Sequence, residues 1–153
     1  PETKALFAKY GVLNDRELAS RYEVYLEQYE LSVSVEARSV LEVATTIVLP
    51  AAMRYQSELA ATAANLTAVG IEADTTILGA VTSAISELVA ATAALGAALS
   101  HEHEGSTYDG AAHAGASFLP AMDEVRAAAD TLQTLVADDL WPLPTYQEML
   151  FIL

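Results

Sequence analysis

A long helical stripe runs through the first half of this sequence and limits what the chain can fold into. Apolar and aromatic side chains recur every three or four residues, the spacing that places them on one face of an α-helix. An unbroken helix of about 55 residues would be roughly 80 Å long, which is more than a small domain needs, so we expect a break or kink. The stripe comprises Leu18, Tyr22, Tyr25, Tyr29, Val33, Ala37, Val40, Ala44, Ile47, Ala51, Tyr55, Leu59, Ala63 and Leu66.

The ends of this helix and its kink have local signals. Asn14 and Glu17 have the spacing of an N-terminal capping box, and Gly70 supplies a natural stop. Pro50 is the predicted kink, because proline lacks the amide proton and crowds the preceding turn, at a cost of roughly 3 kcal/mol. The context of Pro120 repeats that of Pro50, since both follow leucine and precede alanine. If the two proline-containing helices run parallel, we expect the two kinks at similar height.

The remaining sequence predicts two further helices and a tail. A heptad-like stripe predicts a central helix over 74–100, beginning after the cap candidate Asp74, and a second stripe predicts a fourth helix over 108–138. Two prolines then favour an extended path in the tail, 139–153. We predict one all-α domain over 1–153, an antiparallel helical bundle. Residues 1–70 would form a short N-terminal helix plus one very long, proline-kinked helix.

Charge excludes several kinds of partner. The chain carries 21 acidic and 7 basic residues, a formal net charge of −14. From Ala61 onward Arg126 is the one basic residue against twelve acidic ones. Nucleic acids and anionic membranes attract clusters of lysine and arginine, so we expect neither as a partner. The chain has no cysteine, which excludes disulfides and thiolate chemistry and suits a reducing cytoplasm.

Catalytic and cofactor motifs are hard to find. His101 and His103 alternate with Glu102 and Glu104, a weak candidate metal site, but residues two apart lie on different faces of a helix. We favour a solvated helix end whose histidines lie near the C-terminal dipole. No histidine follows an acidic residue by three positions, which argues against a di-iron bundle, and no glycine-rich phosphate loop occurs. We therefore predict no catalytic, cofactor-binding or metal residue in this chain.

Two stretches allow competing interpretations. Residues 77–99 are long enough to span a membrane and contain Glu87 as their one charge, but they are rich in alanine and have acidic flanks. We favour a central, buried helix for this stretch.

Tyr22, Tyr25 and Tyr29 share a helical face and could form a binding ladder. Aromatic residues at this spacing are more often part of the core, and we expect these tyrosines to be core residues.

Two blocks of the sequence resemble the C-terminal region of type III glutamine synthetases. The first extends from Ser20-Arg21-Tyr22-Glu23-Val24-Tyr25 to Leu49-Pro50-Ala51 and Tyr55. The second extends from Phe118-Leu119-Pro120-Ala121-Met122 to Trp141-Pro142-Leu143-Pro144-Thr145-Tyr146 and Leu150-Phe151. Departures include Ser34 where the family often has asparagine, Leu143 where phenylalanine is usual, and Gln147-Glu148 in place of a Gly-Asp pair.

This resemblance implies a role within a larger enzyme. The parent would be a cytoplasmic ligase of nitrogen metabolism that joins ammonia to glutamate, with ATP and Mg²⁺ or Mn²⁺, in a large homo-oligomer. The family's ligands for these groups lie upstream, so no catalytic residue is carried over.

We expect a non-catalytic C-terminal domain for subunit assembly or stability, whose partners are the upstream catalytic domain and the other subunits. The interface candidates are Trp141, Pro142, Tyr146, Leu150 and Phe151. The alternative is a free-standing acidic helical protein-interaction module.

Overall fold

The chain is built from helices. The structure, a computed structural model, describes residues 2–100 and 105–150, and within these ranges it contains no β-strand. The all-α prediction is therefore confirmed. A π-helical turn at Ala44–Val48 joins α2 to α3, another at Ala114–Phe118 joins α5 to α6, and Asp138–Leu140 forms a 3-10 turn. The helices are α1 (Glu2–Tyr10), α2 (Asp15–Val43), α3 (Leu49–Ala68), α4 (Thr76–Ser100), α5 (Thr107–His113), α6 (Leu119–Leu135) and α7 (Tyr146–Leu150).

Both ends of the long helix, α2 through α3, are fixed by local hydrogen bonds. The Asn14 side chain accepts a hydrogen bond from the Glu17 amide, and the Glu17 carboxylate accepts one from the Asn14 amide, each at 2.9 Å. At the other end Gly70 adopts φ +82°. The Ile71 amide donates to the Leu66 carbonyl and the Gly70 amide to the Thr67 carbonyl, the two bonds of a Schellman motif.

The predicted kinks take the form of π-helical turns. In the first, the Leu49 amide donates to the Ala44 carbonyl five residues back. The hydroxyls of Thr45 and Thr46 donate to the carbonyls of Leu41 and Glu42 at 2.7 Å. Both π turns end directly before a Leu-Pro-Ala sequence, so the echo between the two halves of the sequence corresponds to a repeated local structure. A widened turn is one way for a helix to accommodate a residue that lacks an amide proton.

The two π turns do not lie at the same height, so that expectation was wrong. The second π turn packs against α2, and the first packs against α6. A Cβ placed on Gly115, in the second turn, would lie 3.1 Å from the hydroxyl of Tyr29. Tyr29 precedes the first π turn by fifteen residues, an axial offset of roughly 22 Å. The helices do run parallel, but they are staggered.

This stagger leaves only the middle of the long helix covered on two sides. The Gln56 side chain donates to the Thr82 hydroxyl at 2.8 Å, and Gly96 lies next to Leu41, so α4 runs antiparallel along the second part of the long helix. Helices α5 and α6 cover the first part. The coverage overlaps near the first π turn, where the core is deepest. The largest fully buried side chains are Val48, Val81, Leu88, Leu95, Val125 and Leu132.

Helix α4 is the one helix of the described residues that is long and apolar enough to cross a membrane by length and composition. Its buried residues are Val81, Ala84, Leu88, Thr92 and Leu95, and they form the centre of the bundle. A core helix of a soluble protein satisfies the same criteria. The finding is therefore weak evidence for a membrane span.

Candidate functional site

The C-terminal segment begins by folding back onto the bundle. The backbone amides of Leu140 and Trp141 both donate to the Ala137 carbonyl at 3.0 Å, which closes the 3-10 turn. This turn packs against α3. Leu140, Trp141 and Leu143 are half-buried against the main core. The first part of the segment is thus an internal packing element of the bundle.

Reciprocal hydrogen bonds of the capping-box type start α7. The Glu148 carboxylate accepts hydrogen bonds from the Thr145 amide at 2.8 Å and the Thr145 hydroxyl at 3.0 Å. The Glu148 amide donates in turn to the Thr145 hydroxyl. These bonds, the amide first and the hydroxyl second, hold the pKa of Glu148 below its ordinary value. The chain direction after the two prolines is therefore set by a local, charge-assisted contact.

A depression of about 370 Å³ opens beside this segment. Its lining comes from Asp138, from Glu148 and from the run Trp141-Pro142-Leu143-Pro144-Thr145. The indole Nε1 of Trp141 is buried and has no hydrogen-bond partner among the described residues. A buried donor of this kind ordinarily costs folding free energy unless an acceptor reaches it.

The interface candidates fall into three groups. Trp141 is half-buried against the bundle, whereas Pro142 and Leu150 are exposed, Leu150 to 78%. The backbone of Tyr146 opens α7, but its side chain lies outside the described part, as does Phe151 altogether. The structure thus leaves Pro142 and Leu150 accessible, while the bundle covers part of Trp141. Their role in an interface stays a prediction.

A second concave feature, which the sequence did not predict, lies beside the first π turn. This apolar groove of about 270 Å³ runs between α2 and α6, and Leu143 reaches it from the C-terminal segment. Its apolar lining consists of Val40, Val43, Ala44, Val48, Val125, Ala129 and Leu143. The one sequence signal that could have indicated this groove was Leu143, an apolar residue between two prolines.

The weak metal candidates His101 and His103 lie outside the described residues. Within residues 2–100 and 105–150, no group of three or more histidine, aspartate and glutamate side chains could hold a metal ion. His113 packs its ring edge-to-face against Phe118, with centroids 5.3 Å apart, and its Nδ1 lies 3.3 Å from the Ser117 hydroxyl. His113 therefore packs against the second π turn from the last position of α5.

The tyrosines of α2 are not core residues, and our expectation for them was wrong. Tyr22, Tyr25 and Tyr29 are 54%, 66% and 43% exposed. Val24, Leu31 and Val35, on the same half of α2, are also exposed. Periodicity identified residues that share a face, but α4 does not extend along this part of the long helix. The helical neighbours that would bury the tyrosines are absent from the described bundle.

Comparisons with known proteins agree with the resemblance noted from the sequence. The family described as "Glutamine synthetase C-terminal domain" matches residues 1–67. The chain is 30% identical to a type-3 glutamine synthetase of Dictyostelium discoideum, over 96% of this chain and 21% of that protein. It is 26% identical to a glutamine synthetase of Bacteroides fragilis, over 98% of this chain and 22% of that protein. No solved structure matches significantly.

The chain spans about a fifth of the length of these relatives. The matching family is a C-terminal domain and not a catalytic one, so the chain on its own corresponds to a non-catalytic part. The family match covers the first resembling block, while the second block, which ends in the Trp141 segment, lies within the longer alignments.

Proposed function

We propose that this chain is the helical assembly domain of a glutamine synthetase, because residues 1–67 match the C-terminal domain of that family and nearly the whole chain aligns with a type-3 enzyme. The parent would form glutamine from glutamate and ammonia at the expense of ATP, with Mg²⁺ or Mn²⁺. Its catalytic residues would lie outside this chain. The observation that carries the proposal is the alignment of 96% of this chain with only 21% of the Dictyostelium protein.

Assembly or stability of the oligomer is the role that suits a non-catalytic helical part. The chain has a buried core of its own, with Leu88, Leu95 and Leu132 fully buried, and it also leaves large apolar side chains exposed. Exposed apolar residues in a group usually indicate a contact surface. The partners we propose are the catalytic part of the parent and its other subunits, in the cytoplasm.

Removal of this domain tests the proposal. The native gene that encodes the chain is expressed at full length and with residues 1–153 of this chain deleted, and the two products are compared by analytical ultracentrifugation and thermal unfolding. We expect the truncated enzyme to form smaller assemblies or to unfold at a lower temperature. An enzyme of normal size and stability would contradict the assembly role. A gene that starts at residue 1 would point instead to a free-standing interaction module.

The C-terminal candidates have a separate test. Leu150→Ser in the full-length enzyme should weaken the oligomer while leaving the stability of the isolated chain nearly unchanged, because the side chain is 78% exposed. Val69→Ser is the matched control, since Val69 is 72% exposed at the far end of the long helix. Equal effects of the two substitutions on the sedimentation coefficient would remove Leu150 from the interface.

A further inference from the structure

One half of α2 presents a large apolar surface that the described bundle leaves mostly exposed. We call it the tyrosine–aliphatic face. Each of its members is at least 43% exposed. Large apolar side chains are common singly on protein surfaces, but a contiguous set on one helix is characteristic of an interaction site. The members are Tyr22, Val24, Tyr25, Tyr29, Leu31 and Val35.

The face occupies one side of the helix, with three polar side chains between its aliphatic and tyrosine members. At 100° per residue, its members span about half of the circumference, with the tyrosines next to the core side and the aliphatic residues away from it. Tyr29 marks one border, where its hydroxyl lies over Gly115 of the second π turn. The opposite border carries Leu31 and Val35, which point away from the bundle. A partner of considerable size would be needed to cover both borders.

Charge distinguishes this face from the rest of the chain. Glu23, Glu27 and Glu30 fall on the other half of the helix by the same geometry. Arg21 lies within the face and is exposed. Within residues 21–35 the acidic side chains thus lie on one half of the helix and the tyrosine, aliphatic and arginine side chains on the other, and Glu36, the next residue, lies at the end of the face. Tyrosine and arginine are enriched at protein interfaces.

These charges argue against a second copy of this chain as the occupant. Two copies would bring together molecules that each carry a net charge of −14, and like-charged partners repel at close range. The face would suit a less acidic partner with an apolar patch and a carboxylate near Arg21.

The position of the face in the chain indicates where that partner lies. About four fifths of the relatives' length falls outside the aligned region, and the matching family is a C-terminal domain. The missing part would then precede residue 1 and enter through α1, which contacts α2. Leu6, Tyr10 and Val12, in and just after α1, are also exposed. A covalently attached neighbour has a high effective concentration at such a surface.

We propose that the tyrosine–aliphatic face docks onto the catalytic part of the same polypeptide, upstream of residue 1. This inference rests on the proposed function, because it requires a parent enzyme. It extends that function by naming the surface and the partner: a domain with an apolar patch bordered by an acidic side chain. Docking would fix the direction in which the long helix projects from the catalytic part.

Hydrogen exchange measured by mass spectrometry tests the docking. Backbone exchange over residues 21–35 is compared between the full-length native polypeptide and the isolated 153-residue chain. We expect exchange in the full-length protein to be slower by about tenfold or more, because docking suppresses local opening of the helix. The double variant Tyr25→Ala and Leu31→Ala should lose most of this protection. Both substitutions retain helix propensity, so the helix itself should remain.

Apolar residues outside the tyrosine–aliphatic face provide control variants, and the possible outcomes separate docking from assembly. Met53→Ala and Ile77→Ala remove apolar side chains of similar exposure, 53% and 54%, outside the face, and should leave the protection intact. Equal exchange in the full-length and isolated proteins would overturn the docking, even if truncation disturbs the oligomer. Protection that appears only in concentrated isolated chain would identify a second copy as the occupant and would also overturn it. Protection in an enzyme whose oligomer survives truncation would support docking while contradicting the assembly role.

Discussion

At the scale of single residues, two glycines of this chain have opposite requirements. Gly70 ends the long helix with φ +82°, a conformation that costs an L-residue roughly 1 kcal/mol or more. Gly79 lies within α4, and a Cβ added to it would meet nothing within 4 Å. Replacement of glycine by alanine should therefore change the free energy of unfolding in opposite directions at the two positions.

We expect Gly70→Ala to destabilise the chain by about 1 kcal/mol and Gly79→Ala to stabilise it by about 0.5–1 kcal/mol. The two effects come from backbone conformation in the first case and from helix propensity in the second. Urea unfolding followed by circular dichroism measures both. Similar midpoints for the two variants would contradict the assignment of the Schellman end at Gly70.

Two carboxylates lose their favourable contacts in acid. The Thr76 hydroxyl first, and then its amide, hold the pKa of Asp74 below its ordinary value, with hydroxyl and amide at 2.6 and 2.9 Å. For Glu148 the order is reversed, with the Thr145 amide ahead of its hydroxyl. A carboxylate whose folded pKa is lowered stabilises the fold above its unfolded pKa, about 4. That stabilisation disappears as the pH falls through the folded pKa.

The hydroxyl is the main cause of the lowered pKa at Asp74, whereas the backbone amide is the main cause at Glu148, and this difference can be tested. Thr76→Val removes the larger contribution at Asp74, whereas Thr145→Val removes only the smaller one at Glu148. We therefore expect Thr76→Val to return the pKa of Asp74 most of the way to its ordinary value, and Thr145→Val to have a weaker effect on Glu148. Carboxyl-carbon NMR titrations of the two variants measure this. A larger pKa change at Glu148 would show that the backbone amide is the lesser partner there.

At the scale of the elements, α4 is the helix on which the others depend. It contacts α2, α3, α6 and both π turns, and its Leu88 has no exposed surface. We expect Leu88→Ala to destabilise the chain by about 2–5 kcal/mol, through lost transfer free energy and the cavity left behind. Val89→Ala is the control, because Val89 is 47% exposed on the same helix and should cost far less. Thermal unfolding of the two variants makes the comparison.

Local signals predicted the ends of the elements, while the contacts between elements depended on distant sequence. The Asn14 capping box and the Gly70 stop were predictable because their partners lie within five residues. The π turns at the two Leu-Pro-Ala sites were not, since proline predicts a disturbance but does not determine whether it becomes a bend or a wide turn. For Tyr25, periodicity defined a helical face, but exposure depended on where α4 and α5 end.

The same reasoning applies to the candidate site. The Trp-Pro-Leu-Pro-Thr segment was recognisable from its two prolines, and its family resemblance came from the same residues. That Leu143 reaches the groove between α2 and α6 depends on the angle at which the segment leaves α6, which no local pattern specifies. Burial of the Trp141 indole follows from the same angle.

At the scale of the whole molecule, the stagger of the helices explains why one chain can be stable and still leave a large surface for a partner. The core forms where α3, α4 and α6 meet the first π turn, and it includes Val48 and Leu132. The first half of α2 extends away from this centre and packs chiefly against α5 and the second π turn. Folding and docking can thus involve different parts of the long helix.

This division also bears on whether α4 enters a membrane. Helix α4 is apolar along its length, but it packs five buried residues into the bundle, among them the fully buried Leu88 and Leu95. Insertion of α4 into a membrane would expose to water the apolar faces of α2, α3 and α6 that α4 now covers. That exposure costs about 25 cal/mol of free energy per Å² of apolar surface. The acidic residues at positions 72, 74, 102 and 104 would also meet anionic headgroups unfavourably.

We therefore expect the isolated chain to remain in the supernatant without detergent and not to float with vesicles of mixed neutral and anionic lipid. Leu88→Asp sharpens the experiment, because an aspartate at this buried position should release α4 from the bundle by unfolding it. If wild-type chain floats with vesicles while retaining its helical circular dichroism, α4 is a membrane element. If only the Leu88→Asp variant associates with lipid, the apolar character of α4 serves the core of the bundle.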